Sequence, residues 1–265
     1  SGLDLGETLH DEPEELQGII ENHVGSINIP MAVVGPLLLD GVYAKGEFCV
    51  PVCTIEGTLA MSMNRGMLAS AMCGGTKAKH FRQELSRAPV FIFDNLEESI
   101  KFQTWVNNNK NKIMAVAETT TRYGKVLRID QYTVHNYVVL DIVMDTGNAA
   151  GQNMVTLAAK VACEFIQKET NQNYFLESNV NSDKKASARN MLLGRGHGVT
   201  VETTINNSVM KRILKVDPDI LFDAWPYYPI ISSMAGTNGN GIHVSNALTA
   251  IYLATGQDAA CASEN

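Results

Sequence analysis

Positive charge is scarce in this sequence: 21 Lys and Arg face 28 Asp and Glu, a net charge of −7 over 265 residues. A chain that acidic lacks the basic face a nucleic-acid groove needs, so nucleic acid is not an expected partner. A phosphate-bearing small molecule stays open, because a few local cations suffice for it. Long apolar runs are missing as well. None approaches the ~18–20 residues of a membrane span, and Ser1 opens no basic-then-apolar signal region, so a soluble cytoplasmic chain without a membrane segment is expected. Cysteine is sparse and odd in number: Cys49, Cys53, Cys73, Cys163 and Cys261 form no Cys-x-x-Cys, and Cys49 and Cys53 have no second pair to complete a zinc site. Buried free thiols in a reducing compartment are the expectation, with no metal. Internal repeats, low-complexity tracts and a Gly-x-Gly-x-x-Gly fingerprint are all absent. What remains is globular material, 45% hydrophobic and 18% charged, enough for one large domain or two modest ones.

Residues 1–25 open polar and acidic, with a short helical pattern around Glu14–Asn22. Ile27–Leu39 is apolar but punctuated by Pro30, Gly35 and Pro36, which predicts strands and turns rather than helix. Glu47–Val52 alternates like a strand, and Gly57–Met72 carries Leu59, Ala60, Met63, Met67, Leu68 and Ala71 at helical spacing, closed by Gly74-Gly75. Composition shifts at Arg87-Ala88-Pro89. Val90–Phe93 then reads as a strand, and Glu97–Val106 as a helix closed by the polar run Asn107–Lys112. Val126–Val134 and Tyr137–Met144 read as paired strands, and Ala149–Gln167 as a helix. Strand, helix, two strands and helix in succession predict a small α+β sandwich inserted in a larger domain. Beyond it come a strand at Gly198–Ile205, a Gly-rich loop at Met234–Gly241 and an apolar helix at Ile242–Thr255.

Four places could carry chemistry. Glu56, just before Gly57 and a helix, is either a cap favoured by the helix dipole or a working carboxylate. Lys184 and Lys185, after Asp183, are either solvated loop lysines or functional cations. Asp258 follows a helix with almost no charge, so it is expected to be partly buried, with a raised pKa unless it is paired. Gly147-Asn148-Ala149-Ala150-Gly151 and Gly236–Gly241 are Gly-rich; the first precedes a helix whose N-terminus could hold a phosphate, with Gly151 read as lying inside that helix.

Taken as ordered words, these places resemble one family. Glu21-Asn22-His23-Val24-Gly25, Ile29–Leu37, Pro51–Gly57 running into Ser62–Gly66, Ser182-Asp183-Lys184-Lys185, Gly194-Arg195-Gly196, Met234-Ala235-Gly236, His243, Asn246 and Ala250–Ala260 resemble 3-hydroxy-3-methylglutaryl-CoA reductase, over residues ~16–262. The resemblance implies an α+β fold: a large substrate and dimerisation domain (1–87 and 177–265) with an inserted ferredoxin-like dinucleotide-binding domain (88–176). It implies a homodimer or higher even oligomer with the active site between subunits. The implied chemistry is the four-electron reduction of an acyl-CoA thioester to an alcohol, with NADPH or NADH supplying two hydrides. Lys184 matches the lysine that stabilises the oxyanion. Glu56 matches the proton donor to the aldehyde oxygen, its pKa raised by a buried neighbour such as Asp258, and Asp258 matches the aspartate between them. Asn246 matches the amide completing the network. Ser62, Arg65, Asp183, Lys185 and His243 fall on the substrate side. Asp145, Gly147, Asn148, Ala149, Gly151 and Asn153 fall at the dinucleotide.

The sequence also departs from the family. Its catalytic histidine, which protonates the leaving thiolate, lies downstream of the Gly-Gln-Asp word. This sequence stops at Asn265, and none of His10, His23, His80, His135, His197 or His243 matches that histidine by motif. If the natural chain ends there, a C-terminally short, divergent reductase is expected to handle the free aldehyde better than the thioester. The alternatives are a reductase-fold enzyme for another acyl thioester or aldehyde, and a non-catalytic partner subunit. Asn148 replaces an acid in the usual Gly-Asp-Ala-Met-Gly-Met-Asn. Asp145 stands where NADPH-using relatives tend to carry Arg, which favours a free ribose 2′-OH and hence NADH. Ile92 and Tyr227 stand where a substrate-binding arginine and lysine are usual.

Overall fold

The computed structural model describes residues 20–237 and 244–265. The helical pattern around Glu14–Asn22 therefore lies almost wholly outside the described residues, as does His243. The chain starts with an antiparallel hairpin, β1 (Met31–Gly41) and β2 (Lys45–Cys53), followed by α1 (Leu59–Ala71) and β3 (Thr76–Arg87). Then come β4 (Val90–Ile92), α2 (Leu96–Glu118), β5 (Lys125–Val134), β6 (Tyr137–Asp145), α3 (Gln152–Thr170) and the short β7 (Tyr174–Phe175). α4 (Ala188–Leu193) and β8 (Gly196–Glu202) follow. α5 (Asn207–Val209) runs into a π-helical turn, Met210–Leu214, and leads to α6 (Pro218–Ala224) and α7 (Tyr227–Met234). Last are α8 (Val244–Ala254) and a 3-10 turn, Ala259–Glu264.

β3 is the strand that joins the two halves. Its first residues lie parallel to β1 (Leu39 opposite Thr76), and Lys77–Glu84 pair antiparallel with β8. Its last three residues, Leu85–Arg87, pair instead with Ile142–Met144 of β6. From there the strands run β7-β4-β6-β5, all antiparallel, with both α2 and α3 packed on one face. That β-α-β-β-α-β order is the ferredoxin-like arrangement the sequence led us to expect.

The core of this unit is built by periodicity. Leu140, Ile142 and Met144 alternate toward the helices, where they meet Phe102, Val106, Ile113 and Ala117 of α2 and Val155, Ala158, Ala159, Ala162 and Ile166 of α3. α2 starts where Asn95 accepts a hydrogen bond from the Glu98 N–H, with Glu97 and Glu98 in the first turn. It does not stop at the polar run Asn107–Lys112, as local composition suggests. Ile113 and Ala117 extend the buried stripe of Val106, so the asparagines and lysines are only the helix's wet side. The α3 helix begins at Gln152, and Gly151 is its N-cap rather than an interior residue. Gly151 has φ +87°, and a Cβ there would lie 2.4 Å from the Thr146 methyl.

On its other face β6 carries Asp141, a fully buried carboxylate paired with Arg189 of α4. The β1–β2 half is held more thinly. Its buried apolar cluster is Val34, Val52, Leu59 and Ala250, with Met31, Val33, Val42 and Tyr43 left exposed. Of the cysteines, all free, only Cys163 is buried and Cys49 is exposed, so the expected burial of the thiols fails for most of them. Among the described residues, no helix is long and apolar enough to cross a membrane.

Candidate active site

Beyond Leu176, which packs on the apolar core, the segment between β7 and α4 is a succession of tight turns held by polar anchors. Asn179, Ser182 and Lys184 all adopt left-handed backbone (φ +70°, +54° and +55°), a region uncommon for lysine. Side chains from distant elements hold it there. The Lys184 backbone N–H donates to Glu264 Oε1 at 2.7 Å. Asp183 lies against Arg195 (3.1 Å) and Arg87 (3.4 Å). Asn190 donates to the carbonyls of Ser182 and Lys185, and Lys185 Nζ to the Asp183 carbonyl at 2.7 Å. Burial opposes the charge on Asp183, but Arg195, Arg87, a hydrogen bond with Glu264 and Lys184 together outweigh it and hold the carboxyl below its ordinary range.

Arg195 is the hub of this region, with a side chain only 1% exposed. Nε reaches Glu264 at 3.0 Å, Nη1 reaches the Ser86 and Asn181 carbonyls at 3.3 Å, and Nη2 reaches Gln152 Oε1 at 3.0 Å as well as Asp183. Every guanidinium nitrogen thus has an oxygen in reach, the condition for burying such a group. Gln152 is the first residue of α3, so one side chain ties that helix's N-terminus to the Lys184 loop.

On this platform Lys184 Nζ meets Asp258 Oδ2 at 2.7 Å. The Asp258 hydrogen bond and charge raise the Lys184 pKa above its ordinary value. Lys184, together with the Ala260 N–H that Asp258 caps, lowers the Asp258 pKa. The sequence expectation for Asp258 is corrected here. Its side chain is 49% exposed and paired, so its carboxyl is ionised rather than pushed toward neutrality. A pair this exposed adds less than about 1 kcal/mol to stability. Its effect is to keep an ammonium charged at a fixed place.

Glu56 is not a helix cap. α1 begins at Leu59; Thr58, in its N-cap position, makes no side-chain cap, and the first turn holds no acid. The Glu56 carboxylate is exposed and accepts two long hydrogen bonds, 3.5 and 3.4 Å, from Asn246 Nδ2 of α8. Among the described residues no hydrogen bond or ion pair joins Glu56 to Lys184 or Asp258, so Asp258 does not act on it as a buried neighbour. α8 still relates the two groups, with Asn246 in its first turn and Asp258 just past its end.

Ser62 and Arg65 stand on the exposed face of α1, and neighbouring Asn64 accepts from the Gly35 N–H at 2.8 Å. In the turn before α3, Asp145 Oδ1 accepts from the Gly147 N–H at 2.8 Å, and Thr146 donates to the Ala149 carbonyl. Asn148 and Ala149 are exposed, Gly147 and Gly151 take left-handed backbone, and Asn153 lies exposed in the first turn of α3. α3 has no side-chain cap and no acid in its first turn. A helix start without a side-chain cap or an acid is compatible with an anion.

Comparison with known proteins settles the family. Residues 3–265 match the hydroxymethylglutaryl-coenzyme A reductase family. The chain belongs to that family. It is 37% identical over 244 residues to 3-hydroxy-3-methylglutaryl-coenzyme A reductase of Methanothermobacter thermautotrophicus, covering 91% of this chain and 62% of that protein. It is likewise 37% identical over 255 residues to the reductase of Pyrococcus abyssi, covering 94% and 62%. The chain thus spans about three fifths of the length of these relatives. Among solved structures, a Streptococcus pneumoniae reductase superposes with a TM-score of 0.69 at 17% identity, over 95% of this chain and 57% of that one. Another from the same organism, described as bound to NADPH, gives 0.69 at 18%, over 91% and 56%. At such identities the likeness speaks for the α+β reductase fold.

The family words name Lys184, Asp258, Glu56 and Asn246, and the structure brings them together as two pairs. They do not name the supporting residues. Glu264, Arg87, Gln152, Asp141 and Arg189 lie far apart in sequence, and Arg195 stood out only through its flanking glycines. One signal was available: Asp141 interrupts the apolar run Val138–Met144, where a carboxylate needs a buried partner.

Proposed function

We propose that this protein reduces 3-hydroxy-3-methylglutaryl-CoA to mevalonate and CoA, with a nicotinamide dinucleotide as reductant. The observation that carries the reading is the 2.7 Å Lys184–Asp258 pair on a loop fixed from four sides, within the family's order of motifs. Reducing a thioester carbonyl builds negative charge on its oxygen, and an ammonium that stays protonated stabilises it. Lys184 meets that demand as an ammonium held at 2.7 Å by Asp258, which raises its pKa further. Glu56 is the proton donor to the aldehyde oxygen in the second reduction, oriented by Asn246. Asp183 and Lys185 at the loop, Ser62 and Arg65 on α1, and His243 serve the acyl-CoA.

A reduced nicotinamide, when bound, supplies one hydride, so two dinucleotides are consumed in turn per thioester. The residues suited to hold it are Asp145, Gly147, Asn148, Ala149, Gly151 and Asn153, because α3 starts uncapped behind an exposed turn of small side chains. On this reading residues 88–176 form the dinucleotide domain, and 1–87 with 177–265 the substrate domain. The Arg195–Gln152 bond supports bringing cofactor and lysine together.

The protein acts in the cytoplasm as a homodimer or higher even oligomer. Val24, Ile27, Met31 and Val33, within and after the Glu21–Gly25 word, are all more than 60% exposed in the single chain and suit a subunit contact. The test is a stoichiometry: two reduced cofactors oxidised and one CoA thiol released per thioester, with mevalonate as the product. Oxidation of the cofactor on another acyl-CoA but not on this one would overturn the substrate assignment.

A further inference from the structure

The mechanism uses the Lys184 ammonium, yet the backbone beneath it is fixed by a group outside the catalytic words. Glu264 Oε1 takes the Lys184 N–H at 2.7 Å and the Arg195 Nε at 3.0 Å. Its side chain is only 8% exposed, and its partner Arg195 is 1% exposed. Lys184 itself stands at φ +55°, a backbone that an L side chain rarely adopts without such an anchor. Lys184 and Glu264 are also tied through Asp258, which pairs with the Lys184 ammonium and caps the 3-10 turn on which Glu264 sits. One short turn therefore grips both the backbone and the side-chain end of Lys184.

We propose that Glu264, locked by Arg195, is a positioning residue that sets the backbone of Lys184 and so the place of its ammonium at the reacting carbonyl. This deepens the reductase reading and rests on it. Glu264 touches neither substrate nor cofactor; it acts through Lys184. Because Arg195 also holds Gln152 at the start of α3, the same lock keeps the cofactor-binding end in register with the lysine.

The experiment compares Glu264→Ala with Glu264→Gln in the full chain. The glutamine keeps an oxygen for both donors, whereas the alanine keeps none. Glu264→Ala should lower kcat by ~10- to 100-fold, as misplacement of a catalytic group does, while KM for the acyl-CoA changes by less than about threefold. Glu264→Gln should recover most of that kcat. A second readout needs no turnover: labelling of Lys184 with an amine-reactive anhydride across pH, followed by mass spectrometry. The labelling midpoint should move down in Glu264→Ala, where the Lys184–Asp258 pair loosens, and stay near the parent in Glu264→Gln. The proposal is overturned if folded Glu264→Ala keeps its kcat and its labelling midpoint. It is equally overturned if both variants lose activity in parallel with Tm and the midpoint does not move. A parent protein that reduces no acyl-CoA would defeat the reductase reading, while the labelling would still decide the positioning role.

Discussion

The ferredoxin-like unit and the β1–β2–β3–β8 half of the molecule are built to different standards. The first closes on itself, with a continuous apolar core from Leu85 to Ile166 between one sheet face and two long helices. The second buries Val34, Val52, Leu59 and Ala250 and leaves Met31 and Val33 in the open. The Lys184 loop stands at the seam, fixed by the buried Arg195 and Glu264 rather than by apolar packing, whereas Glu56 is exposed and meets only Asn246. Buried ionic networks give geometry more than stability. A seam organised this way holds an ammonium in place, while the thin half leaves apolar side chains such as Met31 and Val33 exposed in the single chain.

The comparison breaks first at Asp141, where the ferredoxin-like sheet meets α4. Arg189→Ala would leave a fully buried carboxylate unpaired and should cost about 3–5 kcal/mol in denaturant unfolding. Pairing it with Asp141→Leu should restore most of that loss. A single variant as stable as the parent would mean the seam is not held there.

The thin half is tested by assembly. The parent should run as a dimer or larger even oligomer by light scattering at micromolar concentration, burying more than ~2,000 Å² per interface. Val33→Asp should weaken association by at least ~10-fold, about 1.4 kcal/mol. A monomeric parent would show that this face is covered by something else or by nothing.

A smaller effect sharpens the seam itself. The Lys184 pKa is raised, so its charge is present below the ordinary lysine value of about 10.4 and is lost only as pH climbs through the raised one. The Asp258 pKa is lowered, so its charge is present above about 3.9 and is lost as pH falls through the lowered value. The pair is therefore intact across neutral pH. Asp258→Asn should move the alkaline limb of the kcat profile to lower pH, and an unmoved limb would detach Asp258 from Lys184.

The smallest expected effect is at Asp145. Its carboxylate, already accepting from Gly147, would repel a 2′-phosphate more than a 2′-hydroxyl, and ~1.4 kcal/mol amounts to a tenfold preference for NADH. Titration of both reduced cofactors checks it. Tighter NADPH binding that Asp145→Ala leaves unchanged would take Asp145 out of cofactor selection.

The same contrast explains what the sequence made legible. α3 and the β5–β6 hairpin could be read because their signals are local, an apolar stripe in one and alternation around His135-Asn136 in the other. α2 was cut short because Asn107–Lys112 looks like a terminus until Ile113 and Ala117 are seen to continue the buried face. At the site, Lys184 and Asp258 were legible as family words. The bonds that fix them were not, since Glu264 meets the Lys184 N–H across 80 residues of sequence. Asp258 was misjudged for the same reason: burial was inferred from the apolar helix before it, while its real partner lies on a distant turn.

If the Lys184 ammonium stabilises charge on the reacting carbonyl, its removal in Lys184→Ala must show in turnover. With 3-hydroxy-3-methylglutaryl-CoA and reduced nicotinamide, kcat should fall at least ~100-fold below the parent while the unfolding free energy stays within about 1 kcal/mol of it. A folded Lys184→Ala protein that turns over at close to the parent rate would remove Lys184 from the chemistry.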